Sequence, residues 1–363
     1  MTANTSRNHP AEGDRSAELL SATARDLPPG RHQFHKERLM AQIHDMRQAE
    51  RTTAPVPERR RRFPRPAVVL PLTAAALATA VVAGVVLSGN GGNGVQDAGP
   101  ALTTTVGAAS SKGVPQLLDQ ISLAAAATSA SRPAVEPGQY VYIKSKTADS
   151  YISHVGDTSS LAGHPLHTRQ TWMSPDGTKG WLIDPAVNRS PGGETLSLPD
   201  EQGNTREPTL NSPSYDYLTK LTTDPGKLLA KIYEETKGQG NSPDQEAFTT
   251  IGDLLGESYP PAALYPALFK AAAKIPGVVV VDDATDAAGR HGVAVARLDE
   301  TSGQREEWIF DRKSHVFLGE RSVQVRRNSG TDALITPGTV VFTSAILERT
   351  VVDAIKQTPA AKS

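Results

Sequence analysis

Apolar positions along this chain follow three rhythms, and each predicts a different kind of element. Residues 67–87, AVVLPLTAAALATAVVAGVVL, run without a single charge. At about 1.5 Å rise per residue such a helix is about 30 Å long, the thickness of a bilayer's hydrocarbon core. Upstream, Phe34, Leu39, Met40, Ile43 and Met46 recur at spacings near three and four. That period predicts one amphipathic helix over about residues 32–50, opened by Pro28, Pro29 and Gly30. The polar residues before it, poor in aliphatics, predict no packed core.

The third rhythm begins near Val114. Leu117, Leu118 and Ile121 predict an opening helix, and the alternation of residues 140–146 predicts a strand with Val141 and Ile143 on one face and Tyr140, Tyr142, Lys144 and Lys146 on the other. Runs 169–173 and 180–184 flank Ser174, Pro175, Asp176 and Gly177, a turn sequence, so they predict a hairpin. Residues 185–213 read as a long surface loop. Helices follow: one capped at Asp224 with Leu228, Leu229, Ile232 and Tyr233 on a face, one opened by the Ser242–Gln245 capping box, and a third over about 261–273. From Gly277 the period changes to two, with short polar turns between GVVVV, HGVAVARL, EEWIFD and HVFLGERSVQV. A further strand over 338–349 and a short C-terminal helix complete the pattern. The fold class expected for residues 114–363 is therefore α+β, an antiparallel sheet of seven or eight strands packed by helices on one face.

Charge fixes how these regions lie relative to a membrane. Arg59, Arg60, Arg61, Arg62 and Arg65 stand just before the apolar run, and the first basic residue after it is Lys112. The positive-inside rule then places the N-terminus in the cytoplasm. A cleaved signal peptide has a short leader, whereas 66 residues precede this span, so an uncleaved anchor is expected. The division is residues 1–66 as cytoplasmic tail, 67–87 as transmembrane helix, 88–113 as flexible Gly/Ser/Thr/Ala-rich tether, and 114–363 as extracytoplasmic domain. One tail helix has no core of its own. It lies on the inner leaflet, docks on a cytoplasmic regulatory protein, or frays beside the membrane.

Composition narrows the chemistry. The 363 residues include no cysteine, which removes disulfides, thiolate metal sites and thiol nucleophiles. Net charge is −1, so no general field attracts nucleic acid. No G-x-S-x-G, Walker or H-E-x-x-H motif occurs, and the glycines at 89–94 belong to the tether. His32 and His35 fall near each other on the tail helix, but His44 lies more than two turns further along, so a shared metal is not expected. His154, His164 and His167, near Asp157, fall in a Gly/Ser-rich stretch that reads as a mobile loop with surface histidines. Asp282, Asp283 and Asp286 read as solvated turn carboxylates, and Trp172, Trp181 and Trp308 as strand core. No catalytic, cofactor or metal site is expected.

The tail motif LPPGRH…RLM at 27–40, the single span behind an Arg cluster, and the segments GQYVYIKS, WMSPDG and EEWIFD together resemble a group of actinobacterial single-pass membrane proteins, many encoded beside extracytoplasmic-function sigma factors. The outer domain is also similar, in order of elements, to the curved sheets of periplasmic lipoprotein carriers and of the sigma-E regulator that restrains an anti-sigma factor. The resemblance implies a non-enzymatic binding or sensor domain for a lipid or peptide, linked to sigma-factor regulation. The tail departs from zinc-type anti-sigma domains, since it lacks H-x-x-x-C-x-x-C. The alternatives are a membrane-anchored hydrolase with dispersed catalytic residues and a lipid carrier with a passive anchor.

Overall fold

The computed structural model describes residues 99–360 apart from 130–131, 156–157, 189 and 197–206. The tail helix with Phe34, Leu39, Met40, Ile43 and Met46, the arginines at 59–62 and 65, and the span at 67–87 lie outside the described residues. Among the described residues no helix is long and apolar enough to cross a membrane.

The domain is α+β, a curved, fully antiparallel sheet with a layer of helices. Its strands are β1 (Ala109–Ser110), β2 (Tyr140–Val155), β3 (Thr158–Met173), β4 (Gly180–Ile183), β5 (Glu194–Thr195), β6 (Val278–Thr285), β7 (His291–Leu298), β8 (Gln304–Phe310), β9 (Phe317–Gln324) and β10 (Val340–Val352). They lie in the order β1-β6-β7-β8-β9-β10-β2-β3-β4-β5. The helices are α1 (Val114–Ser129), α2 (Tyr215–Leu218), α3 (Pro225–Glu235), α4 (Pro243–Glu257) and α5 (Leu264–Ala272). Local chemistry sets the starts of α3 and α4. The Asp224 carboxylate accepts from Lys227 N at 2.8 Å and the Ser242 hydroxyl from Gln245 N at 3.1 Å, each followed by proline at the first turn.

Period-two alternation decides which side chains meet the helices. Val278, Val280, Val295, Trp308, Phe310 and Phe317 join the main core with Leu228, Ile232, Phe248, Leu254, Leu268 and Phe269. Trp308 stacks on Phe248 with ring centroids 3.8 Å apart and planes 7° from parallel. The intervening residues Val281, Ala284, Ala294, Ala296 and Ile309 form a second, smaller cluster on the opposite face. Trp172 and Trp308 are buried as expected, whereas Trp181 is half-buried under the Lys356 ammonium, 3.5 Å from its ring centroid.

Four expectations need correction. Ten strands replace seven or eight, because two-residue strands β1 and β5 extend the edges from segments that read as tether and loop. The stretch around His164 and His167 is not a loop. It is part of β3, which pairs with β2 as far as Val155 and Thr158. Polar residues at both faces hide this strand from a hydrophobic pattern, while backbone pairing is indifferent to it.

Residues 99–113 are not a free tether. Gly99 pairs with Gly163, Thr104 N donates to Gly338 O, Val340 N donates to Leu102 O, and β1 pairs with β6. This strap crosses the face away from the helices, where Arg321 donates to the Thr104 hydroxyl. Beneath it Glu307 is clamped between Arg305 and Arg321, each at 2.7 Å, and all three are buried. Gly163 fits closely between β2 and the strap, since a Cβ there would lie 2.6 Å from Asp149 O of β2 and 3.4 Å from Ala101 Cα of the strap. Lastly, the described residues after β10 form a turn instead of a helix, held where Trp172 Nε1 donates to Gln357 O at 2.7 Å.

Candidate functional site

Among the described residues, two clefts open on the helix side of the sheet, where the helices stand away from β10, β2 and β3. The first lies between α1, α5, the β8–β9 turn, β9 and β10. Its walls include Ala124, Ala125, Phe269, Phe317 and Ile346, and it encloses about 170 Å³. Arg132, Arg349, Tyr265 and His315 bring polarity to it, and no carboxylate lines it. Arg349 sits opposite Ile143 in the β10–β2 register and so occupies the helix-facing row that also holds Val351, opposite Val141.

The Arg349 guanidinium lies deep although its stem is partly exposed. Its Nη2 donates to Leu255 O and Gly256 O in the last turn of α4, where free carbonyls and the negative end of the helix dipole favour a cation. Its Nε and Nη1 are buried without an acceptor. Burial, followed by the neighbouring Arg132 charge, pulls its pKa below the ordinary guanidinium value, and Tyr265 opposes this. The Arg132 guanidinium stands 4.2 Å over the Tyr265 ring and 5.2 Å over that of Tyr259, and donates to Pro260 O at 3.3 Å. Cation–π contact holds it without neutralising it.

The second cleft, about 100 Å³, lies between β2, β3 and the helices α2 and α4. Val141, Ile143, Met173 and Leu254 supply apolar walls, while Arg169, Asp253 and Glu257 give a mixed-charge edge. Arg169 Nη1 stands 3.9 Å from Glu257 Oε1, and its Nε 3.4 Å from Asp184 Oδ2.

Two histidines expected on the surface are buried beside carboxylates. His164 Nδ1 lies 2.7 Å from Asp149 Oδ1, and His167 Nε2 lies 2.9 Å from Asp184 Oδ1. The other His167 nitrogen, Nδ1, contacts Pro165 O at 2.8 Å, so its ring has no nitrogen left for a substrate. The side chain of His154 and all of Asp157 lie outside the described residues. Asp286 is not solvated as expected. It is buried and holds Arg290 Nε at 2.6 Å, whereas Asp282 and Asp283 are exposed. Tyr142 is buried on the face away from Val141 and Ile143, with its hydroxyl 2.8 Å from Gln170 Oε1. Among the described residues no group of three or more His, Asp or Glu side chains is placed to hold a metal ion.

The residues that carry the first cleft, Arg132, Tyr265 and Arg349, did not stand out from the sequence. One signal was present: Arg349 stands between Ile346 and Val351, which pack toward the helices from the same strand. No family model matches this chain, and no curated protein matches it.

Proposed function

We propose that this chain is a membrane-anchored binding or sensor protein whose extracytoplasmic domain takes a ligand between its helices and its sheet. The observation that carries the reading is the first cleft, with apolar walls and two guanidinium groups that no carboxylate of the described residues pairs. Arg349 keeps two buried donors without an acceptor, which a stable fold rarely does without a use for them. The span at 67–87 behind Arg59–Arg62 and Arg65 is the anchor, with the N-terminus in the cytoplasm. The tail helix, through Leu39, Met40 and Ile43, reports to a cytoplasmic regulatory protein, which the resemblance makes a sigma-factor pathway. Drug-sized ligands occupy about 300–1,000 Å³, so in this conformation a lipid or peptide would insert only one side chain or the tip of an acyl chain.

Native mass spectrometry of the full chain released from its own membranes tests the reading. A reproducible added mass that leaves on denaturation supports it. A bare chain that turns over model ester or peptide substrates would replace it with the hydrolase.

A further inference from the structure

We propose that the cleft between β10, α1 and α5 binds a small carboxylate carried on an aromatic or short branched apolar body. This rests on the reading of the domain as a ligand-binding module, and adds the site and the ligand class. Three independent features converge on it.

First, the Arg349 guanidinium spends only Nη2 on the α4 carbonyls, and its buried Nε and Nη1 donate to nothing. An unsatisfied buried donor costs about 1–3 kcal/mol, and more when charged. Tyr265 comes within hydrogen-bonding reach of the guanidinium and supports its charge, but the geometry still leaves Nε and Nη1 without a well-aligned acceptor. A purely structural helix-capping arginine would need the two carbonyl bonds and no vacant space beside the rest of its head. Second, Arg132 brings another positive charge to the same cleft, held over Tyr265 and Tyr259, and no Asp or Glu lines the walls. Two cations in a site of low polarity repel, and an anion between them relieves both.

Third, size and walls choose among anions. The space is about 170 Å³, bounded by Ala124, Ala125, Phe269, Phe317 and Ile346. An apolar cavity of about 150 Å³ is enough for benzene. A free inorganic anion would leave those walls wet, and a diacyl lipid would not fit. A monoanion suffices because cation–π contact with two aromatic rings already stabilises part of the Arg132 charge. The half-exposed Val316 and His315 line the cleft where it opens.

The test is calorimetric titration of the full chain in phospholipid nanodiscs with benzoate, neutral benzyl alcohol and phenyl phosphate. Arg349→Met removes the orphaned donors, and Ala124→Leu fills the cleft without touching a charge. Benzoate is expected to saturate one site. The affinity should fall at least about tenfold for benzyl alcohol and in each variant, the loss that goes with one charge-assisted hydrogen bond. Equal binding of benzoate and benzyl alcohol, or unchanged binding in Ala124→Leu, overturns the site. Tighter binding of phenyl phosphate overturns the carboxylate assignment. If benzoate fails while the membrane-extracted chain still carries an added mass, the site falls and the binding-module reading stands. If both fail, both fall.

Discussion

His167 Nε2 faces Asp184 Oδ1 across 2.9 Å with both side chains almost wholly removed from solvent, and Arg169 Nε closes on the other carboxylate oxygen at 3.4 Å. Burial is the largest influence on His167 and lowers its pKa, but the hydrogen bond and charge of Asp184 outweigh it and leave the value raised. Burial likewise raises Asp184, and the His167 hydrogen bond with the Arg169 charge overcomes it and leaves the carboxyl lowered. The pair therefore joins β3 to the end of β4 as an ion pair.

A pH dependence of stability follows. A raised imidazole stabilises below its unfolded value of about 6.5 and loses that contribution as pH climbs past it. A lowered carboxyl stabilises above about 4 and loses its contribution as pH falls below that. Melting temperature should be highest between about pH 4 and 6.5 as far as this pair decides it. His167→Gln should flatten the decline on the alkaline side, read as the variant-minus-parent difference across a pH series. A constant difference from pH 5 to 9 would remove the ion pair from the account. Asp184→Ala strands a buried charge and should cost about 3–5 kcal/mol at pH 6.

Glu246 predicts the opposite sense. Burial, then the Glu306 charge, pushes its carboxyl up to about 8, and its Oε1 has no partner. An acid with a raised folded value binds its proton more tightly than the unfolded chain, so folding weakens as pH rises from about 4.5 toward 8. Glu246→Gln should therefore raise the melting temperature at pH 8 and leave it unchanged at pH 4. No gain at pH 8 would mean the carboxylate finds solvent or a cation.

Packing of α4 on β8 gives a third expectation. Trp308→Ala empties the ring stacked on Phe248 and should cost about 3–5 kcal/mol. Gly252→Ala tests the same contact from the other side, since a Cβ there would lie 2.4 Å from Trp308 Nε1 and 2.8 Å from Glu306 Oε1. Overpacking of this kind costs about 1–3 kcal/mol. In denaturant unfolding the double variant should cost less than the sum, because removing Trp308 removes the shorter of the two clashes. Strict additivity would separate the two sites.

The strap gives a fourth. A fragment beginning at residue 99 should be more stable than one beginning at 114, which loses the pairings of Gly99, Leu102 and Thr104 and uncovers Arg321. At about 1 kcal/mol for each of the four backbone bonds and the Arg321–Thr104 bond, the difference should reach about 5 kcal/mol. Equal denaturation midpoints would restore a free tether.

How much of this was legible depends on how far apart the deciding residues are. The starts of α3 and α4 could be read directly, because Asp224 and Ser242 cap amide groups only three residues on. The meander from β6 to β10 was legible for a similar reason: strong apolar alternation and short turns leave neighbouring strands little choice of partner. The burial of Trp308 follows from that alternation. His164 and His167 were misread because hydrophobic period reports which face is apolar, not whether a polar strand finds carboxylates across a register shifted by a bulge at Thr147 and Asp149. Residues 99–113 looked like a tether because small side chains carry no pattern, yet backbone pairing needs none. Arg132 and Arg349 lie at opposite ends of the domain's sequence, one after α1 and one in the last strand. Only the β10–β2 pairing and the packing of α1 and α5 bring their charges to one cleft, since non-local contacts are set by the whole sheet's register and not by any window of sequence.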